Sequence, residues 1–259
     1  MCESRRCDCA CHTLDPDTGR QNNDIENCVT FLSGIRSQVD TIVYPTAVPP
    51  PNRSDWKERY ATVMEVCRRG VAEWGFIDPG SVNLWRADAT ALDYNNDRAI
   101  YANSPGFVEY QVQQAEEHQF HPAYACYEPG FVRHGRCYIG SIRERQPRFI
   151  VLCLRRHLRF SFPPERWALD AYVKLLESVA PGAPWIIAGL GVDMLPLIPA
   201  AVAMGGHVRV GLEDAPHNSN RSNLELVEAA VNAIHKVGGE PATAADVRST
   251  LKAWKARTS

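Results

Sequence analysis

Short strand-like runs alternate with helix-period stretches along almost the whole chain, and this alternation restricts the fold more than any other feature. The strand-like runs lie near Cys9–Thr13 and at Asp40–Tyr44, Ile77–Leu84, Ala123–Tyr127, Phe149–Leu154, Trp185–Leu190 and His207–Leu212. Helical patterns separate them at Ile25–Val39, Asp55–Trp74, Gly106–Phe120, Pro164–Val179, Met194–Met204 and Leu224–Val237. Such alternation predicts a parallel sheet, because each helix carries the chain back to the edge where the next strand starts. At 259 residues, a closed α/β barrel of the TIM (β/α)8 type is favoured over a doubly wound sheet. Seven runs are found where a closed barrel takes eight, so the reading is a barrel incomplete at its N-terminus. Two open sheet edges would follow, and they favour pairing with a second copy, hence a homo-oligomer.

Proline and glycine fall between the runs, as Pro49-Pro50-Pro51, Asp78-Pro79-Gly80 and Pro181-Gly182-Ala183-Pro184. Asn22-Asn23-Asp24 and Ser222-Asn223 supply helix N-caps. A formal net charge of -2 with 22% charged residues gives no reason to expect nucleic acid or an anionic membrane as partner. No apolar run approaches the ~18–20 residues of a membrane span, and no apolar signal core follows the first residues. Of nine cysteines, four crowd the first eleven residues; Cys28, Cys67, Cys126, Cys137 and Cys153 are scattered in apolar surroundings and read as small buried hydrophobes. That usage points to a reduced, cytoplasmic protein. Residues 10–259 are read as one barrel domain, preceded by a Cys/Arg-rich segment at 1–9.

The richest stretch chemically is Gly205-Gly206-His207-Val208-Arg209-Val210-Gly211-Leu212-Glu213-Asp214. Its alternation puts His207, Arg209 and Gly211 on one face and Val208, Val210 and Leu212 on the other, and it ends in adjacent carboxylates. Charges at the C-terminal end of a strand are what an α/β barrel presents at its catalytic mouth. A structural Arg–Asp pair closing the strand is the alternative. Near the start, His12 precedes Asp15-Pro16-Asp17-Thr18-Gly19-Arg20, a turn signal, and so sits at a strand end. With Glu213, also at a strand end, it can contribute to a divalent metal site.

These residues resemble the β-keto acid cleavage enzymes, a family founded on the 3-keto-5-aminohexanoate cleavage enzyme. The resemblance runs from about His12 onward. It rests on His12 with Asp15–Arg20, then Gly80-Ser81-Val82-Asn83, Tyr101-x-Asn103-Ser104-Pro105 and Pro122-x-Tyr124-x-x-Tyr127-Glu128. Gly189-x-Gly191, the 205–214 stretch, Asn223-x-Glu225-Leu226-Val227-Glu228 and Ala242-Thr243 complete it. It implies a zinc-dependent TIM barrel that condenses a β-keto acid with acetyl-CoA and releases acetoacetate plus a new acyl-CoA. By the same resemblance His12 and Glu213 are metal ligands, Asp214 is the general base, and Arg209 orients it and stabilises charge. Thr46, Ser81 and Asn83 are candidate substrate-binding groups; a turn-capping role is open for Thr46.

The departures are specific. The family's first zinc histidine falls at Ala10, its fifth-strand glutamate at Ala125, and the arginine after the histidine pair at Leu14. Cys9 and Cys11 flank Ala10 but alternate away from the face of His12. A whole βα unit expected before this point is not seen, which reads either as a damaged or mis-assigned start or as a truncated relative with an impaired metal site. Two rival functions remain: an inactive barrel acting as an interaction or regulatory subunit, and a small N-terminal metal module of Cys2, Cys7, Cys9, Cys11 and His12. A nicotinamide enzyme is disfavoured, since Met194 stands where Gly189-x-Gly191 would need a third glycine.

Overall fold

The computed structural model describes residues 8–15, 17–46, 56–84, 100–139, 149–155, 160–216 and 218–258. The expected N-terminal metal module and the Pro49–Pro51 linker lie largely or wholly outside these residues.

Strands β1 (Asp8–Cys11) and β2 (Ile42–Pro45) pair in parallel, Ala10 opposite Tyr44. A second parallel sheet runs β3 (Trp74–Ile77), β6 (His121–Cys126), β7 (Phe149–Arg155), β8 (Trp185–Leu190), β9 (His207–Val208). Helix α1 (Ile25–Gln38) follows β1, α2 (Trp56–Arg68) follows β2, α3 (Pro105–His118) precedes β6, and α4 (Pro129–Ile139) and α5 (Arg166–Val179) follow β6 and β7. A short turn of 3-10 helix leads into α6 (Ile198–Ala203) before β9; α7 (Asn223–Lys236) and α8 (Ala244–Thr258) end the chain. This is the α/β architecture of a partial TIM barrel, with seven parallel strands among the described residues.

The inward faces meet in one cluster. Ala10, Ile42, Tyr44, Trp74, Ala123, Val151, Cys153, Ile186 and Ala188 pack together although they come from six strands. Tyr44 and Trp74 stack at 6.1 Å between ring centroids, joining β2 to β3 where no ladder does. The outward faces pack on the helices: Cys11 with α1 and α2 residues, Tyr124 and Leu152 with α4 and α5 residues. Strand parity therefore works as expected at the start of the chain, with Ala10 inside and Cys11 outside. Cys11, Cys28, Cys67, Cys126 and Cys153 are buried free thiols, and burial pushes the Cys28 and Cys153 thiols up to about 11 and about 12.

Three local expectations need correction. The run Ile77–Leu84 is not one strand: β3 stops at Ile77, and Val82–Asn83 (β4) pairs antiparallel with Ile100–Tyr101 (β5) in a separate hairpin. Pro79 has no N–H for a ladder, and Gly80 lies where a Cβ would come within 2.6 Å of the Phe131 ring. The strand expected over His207–Leu212 keeps its ladder only at His207–Val208, with one further bond from Arg209 N–H to the Ile187 carbonyl at 2.9 Å. Leu212 is consequently exposed. The helix expected over Asp55–Trp74 ends at Arg68, and Trp74 opens β3 instead.

Helix α8, unforeseen in the sequence, sits against the interior cluster through Ala244, Val247 and Leu251. Arg248 on α8 donates to Glu73 at 2.7 Å and to Asp40 at 2.8 Å, and these acids precede β3 and β2. Helix α8 thus lies at the N-terminal end of the barrel.

Candidate active site

The C-terminal ends of β1, β2 and β9 and the turns that follow them bring six side chains into one connected set, His12, Gln21, Thr46, Arg209, Glu213 and Asp214. At the β1 end, Asp15 folds the Asp-Pro-Asp-Thr-Gly turn: its Oδ1 accepts from Thr18 N–H at 2.7 Å and Thr18 O–H at 2.8 Å. Gly19 adopts φ +66°, a left-handed conformation that suits glycine. The turn returns the chain so that Gln21 lies beside His12, its amide 2.5 Å from Nδ1. Thr46, just past β2, places Oγ1 2.6 Å from the same nitrogen.

These contacts suggest how the imidazole is set. Gln21 Nε2 has only hydrogens to give, so His12 Nδ1 is the acceptor, and the Thr46 hydroxyl can donate to the same nitrogen or to the Cys11 carbonyl at 3.3 Å. The ring proton is then on Nε2, which donates across the mouth to Glu213 Oε1, 3.3 Å away. That contact bridges β1 and the segment after β9, which are separated by 201 positions in sequence.

Beyond β9, Asp214 and Ala215 N–H groups both donate to the Gly211 carbonyl, at 3.1 and 2.9 Å, so the chain curls. Asn223 Oδ1 accepts from Leu212 N–H at 3.0 Å and holds that curl to the start of α7. Glu213 and Asp214 are thereby turned back onto Arg209. The Arg209 guanidinium donates to both Asp214 oxygens, at 2.6, 3.0 and 3.1 Å, and to Glu213 Oε2 at 2.9 Å. A planar guanidinium matches this two-pronged demand, which an ammonium would not.

The two carboxylates differ in environment. Asp214 is buried, and burial raises its pKa above the ordinary carboxylate value even though Arg209 works the other way. Glu213 is half exposed; the hydrogen bond with His12 lowers its pKa, burial opposes this, and Arg209 adds to the lowering. Burial opposes the charge of Arg209, but Asp214 more than compensates and holds its pKa well above the ordinary guanidinium value. One partly desolvated carboxylate of raised basicity therefore stands beside one firmly ionised carboxylate. Next to Asp214 lies a cavity of about 390 Å³, bounded by Val192, Met194, Pro216, Asn220, Arg221 and Leu226.

Whether these residues suit zinc can be judged from the donor set. Two ligand atoms at ~2.0–2.2 Å from a tetrahedral ion stand a little over 3 Å apart. The 3.3 Å between His12 Nε2 and Glu213 Oε1 fits two corners of such a site. A catalytic zinc takes three protein ligands, however, and no group of three His, Cys, Asp or Glu able to hold a metal occurs among the described residues. The inward position that a third ligand on β1 would use is Ala10. The donor set is therefore one short of a catalytic zinc centre.

Ser81 and Asn83 are not joined to this set. The Ser81 hydroxyl donates to the Asn103 carbonyl at 3.0 Å and accepts from Asn103 N–H at 2.8 Å, and Asn83 pairs with Ile100 in the β4–β5 hairpin. Sequence reasoning missed Gln21, which the Asp15–Arg20 turn could have revealed by folding 21 back toward 12. It also missed a buried polar cluster of Arg59, Asp78, Tyr101, Asn103 and Arg155 near the ends of β3 and β7. Arg155 had a signal: it continues the inward parity of Val151 and Cys153.

Comparison with known proteins gives a consistent answer. The sequence pattern of a family described as beta-keto acid cleavage enzyme matches residues 9–252. Among characterised relatives, the 3-keto-5-aminohexanoate cleavage enzyme of Fusobacterium nucleatum is 38% identical over 87 residues, 32% of each chain. The 3-oxoadipate:acetyl-CoA acetyltransferase of Cupriavidus necator is 26% identical over 185 residues, covering 66% of this chain and 62% of that one. The 3-dehydrocarnitine:acetyl-CoA trimethylamine transferase of Rhizobium meliloti is 24% identical over 259 residues, 95% of this chain and 83% of that one. Among solved structures, ObcA in binary complex with oxaloacetate superposes with a TM-score of 0.73 at 17% identity, over 94% of this chain and 62% of that one. The chain thus spans less than two thirds of the first two relatives and of ObcA.

Proposed function

We propose that this chain, which belongs to the β-keto acid cleavage enzyme family, cleaves a β-keto acid with acetyl-CoA, giving acetoacetate and a new acyl-CoA. The observation that carries the reading is the Arg209–Asp214 pair, held bidentately with a raised carboxylate pKa beside a cavity between the segments that follow β8 and β9. The names of the relatives support it, since they act on β-keto acids and two of them name acetyl-CoA.

In this scheme Asp214 removes a proton from the carbon between keto group and carboxylate, as a positioned base of raised pKa can do. Arg209 holds that carboxylate in line and offsets the charge that develops beside it. The enolate carbon bonds to the thioester carbonyl of acetyl-CoA, and coenzyme A departs as thiolate. The thiolate adds to the original keto carbon, and the bond from that carbon to the enolate carbon breaks. The released electron pair takes back the proton held on Asp214, so acetoacetate and the new acyl-CoA form with no net proton change. His12, fixed by Thr46 and Gln21, directs Nε2 toward the same space.

None of these steps is routed through a metal, because His12 and Glu213 supply two ligands where a catalytic zinc takes three. We expect a divalent cation to bind there weakly, with water in the remaining positions. The same shortfall favours the second reading, an inactive barrel serving as an interaction or regulatory subunit. One assay separates the two. The protein is incubated with acetyl-CoA and, in turn, 3-keto-5-aminohexanoate, 3-oxoadipate or 3-dehydrocarnitine, and acetoacetate is measured. Turnover of any of them, lost in Asp214→Asn, supports the enzyme; no acetoacetate from any β-keto acid supports the inactive barrel.

A further inference from the structure

Arg155 ends β7 on the inward face, in step with Val151 and Cys153, and only 9% of it is exposed. Its guanidinium lies on the Tyr127 ring, 4.4 Å from the centroid. Unlike Arg209, it forms no side-chain hydrogen bond or ion pair with the described residues, and its Nε is buried without a partner. Buried arginines are normally paired, because an isolated buried charge is costly.

The Asp78 carboxylate is already committed. Asp78, at the end of β3, is buried, accepts the Tyr101 hydroxyl at Oδ2 and stands 3.6 Å from Arg59 NH2. Arg59 also donates to Asn103 Oδ1 at 3.1 Å and to the Tyr101 hydroxyl. Asp78 feels both Arg59 and Arg155. The cluster therefore sets two guanidiniums against one carboxylate, with the tyrosines neutral. Glu128, just past β6, accepts Ser161 N–H at Oε1. Of the two arginines, Arg59 stands beside Asp78 and bonds to Asn103, whereas Arg155 bonds to none of the described side chains.

Arg155 follows Cys153 on the inward face of β7, and Cys153 packs in the interior cluster with Ala10 and Tyr44, which lie two residues before His12 and Thr46. β7 stands well around the ring from β1: β2, β3 and β6 intervene on one side, and β8 and β9 on the other. A substrate whose keto acid end meets Asp214 and His12 would extend its far end toward β7.

We infer that Arg155 receives a carboxylate at the far end of the substrate, so that the site selects β-keto acids with an acid group at both ends. This rests on the β-keto acid reading above. A coenzyme A phosphate is the less suitable occupant, because the guanidinium is sunk inside the barrel rather than displayed on its rim.

The test compares 3-oxoadipate with 3-oxohexanoate, which has the same carbon count and an uncharged tail, in the wild type, Arg155→Gln and Arg155→Met. Met keeps a stem over Tyr127, so it reads the charge if Gln does not fold. The wild type is expected to favour 3-oxoadipate in kcat/KM. Either variant should lose roughly 10- to 150-fold on 3-oxoadipate, the range for charge-assisted hydrogen bonds, and less than about threefold on 3-oxohexanoate. Equal losses on both substrates, or no wild-type preference, overturn the inference. A second arm needs no turnover: calorimetric titration with glutarate and with butyrate. Glutarate binding that is lost in Arg155→Met, in a protein that turns over no β-keto acid, upholds the anion receptor and sinks the enzymatic reading. Turnover without Arg155-dependent preference or glutarate binding does the reverse.

Discussion

Replacing Arg209 by Gln tests the central ion pair energetically. Arg209 makes three contacts with Asp214, at 2.6, 3.0 and 3.1 Å, and the Asp214 side chain is only 4% exposed. Stranding one partner of a buried pair costs about 3–5 kcal/mol. Asp214 can escape by taking a proton, which from an ordinary aspartate pKa costs about 4 kcal/mol at pH 7 and about 1.5 kcal/mol at pH 5. The smaller cost prevails at each pH. The expected loss of stability is therefore about 3–4 kcal/mol at pH 7, falling to about 1–1.5 kcal/mol at pH 5. Glu213 adds little because it is half exposed. Urea unfolding of the wild type and Arg209→Gln at both pH values measures the difference, and Asp214→Asn in the same background should recover part of the pH 7 loss. A loss below about 1 kcal/mol at pH 7, or an equal loss at both pH values, refutes the reasoning.

Three further outcomes are expected. Burial raises the folded-state pKa of Asp214, so its stabilising contribution is present below the unfolded value and is lost as pH rises through the folded one; kcat/KM should rise with pH across that same window, and Asp214→Asn should lower kcat by roughly 10²–10⁴-fold and abolish that limb. Ala10→His adds a third inward ligand beside His12 and Glu213, and zinc affinity by competition with a chelator should increase at least tenfold; an unchanged affinity would mean that position 10 does not reach the pair. Gly206→Ala would bring a Cβ within 2.2 Å of the Trp185 ring, and overpacking of that kind should cost about 1–3 kcal/mol in thermal or urea unfolding; a neutral change would show that the ring moves freely.

The sequence was informative where local chemistry and tertiary structure agree. Six of the seven parallel strands and six helices were legible from their periods, whereas β3 was not, since the expected run began only at its last residue, Ile77; the Ser222–Glu225 capping box and the Asp24 cap confirm two of the helix starts. Helix α4 escaped notice because Gly130 and Gly135 lower its helix propensity. Helix α8 escaped because its buried positions, Ala244, Val247 and Leu251, are few among polar neighbours, and what they pack on is formed by distant strands. Likewise, Arg209, Glu213 and Asp214 were visible as neighbours in sequence. Gln21 and the Arg59–Asp78–Tyr101 cluster were not, because their contacts arise only when separate strand ends converge. Ser81 and Asn83 were placed on a barrel strand, but the break at Pro79 moves them into a hairpin.

Following carbon through the reaction tests the account most directly. The protein is supplied with acetyl-CoA carrying ¹³C in both acetyl carbons and an unlabelled β-keto acid that it turns over, and the products are read by NMR and mass spectrometry. If Asp214-driven condensation precedes cleavage, both labelled carbons appear in the methyl and keto positions of acetoacetate, and the new acyl-CoA is unlabelled. Label retained in acetyl-CoA while the β-keto acid disappears, or label found in the new acyl-CoA, would contradict it.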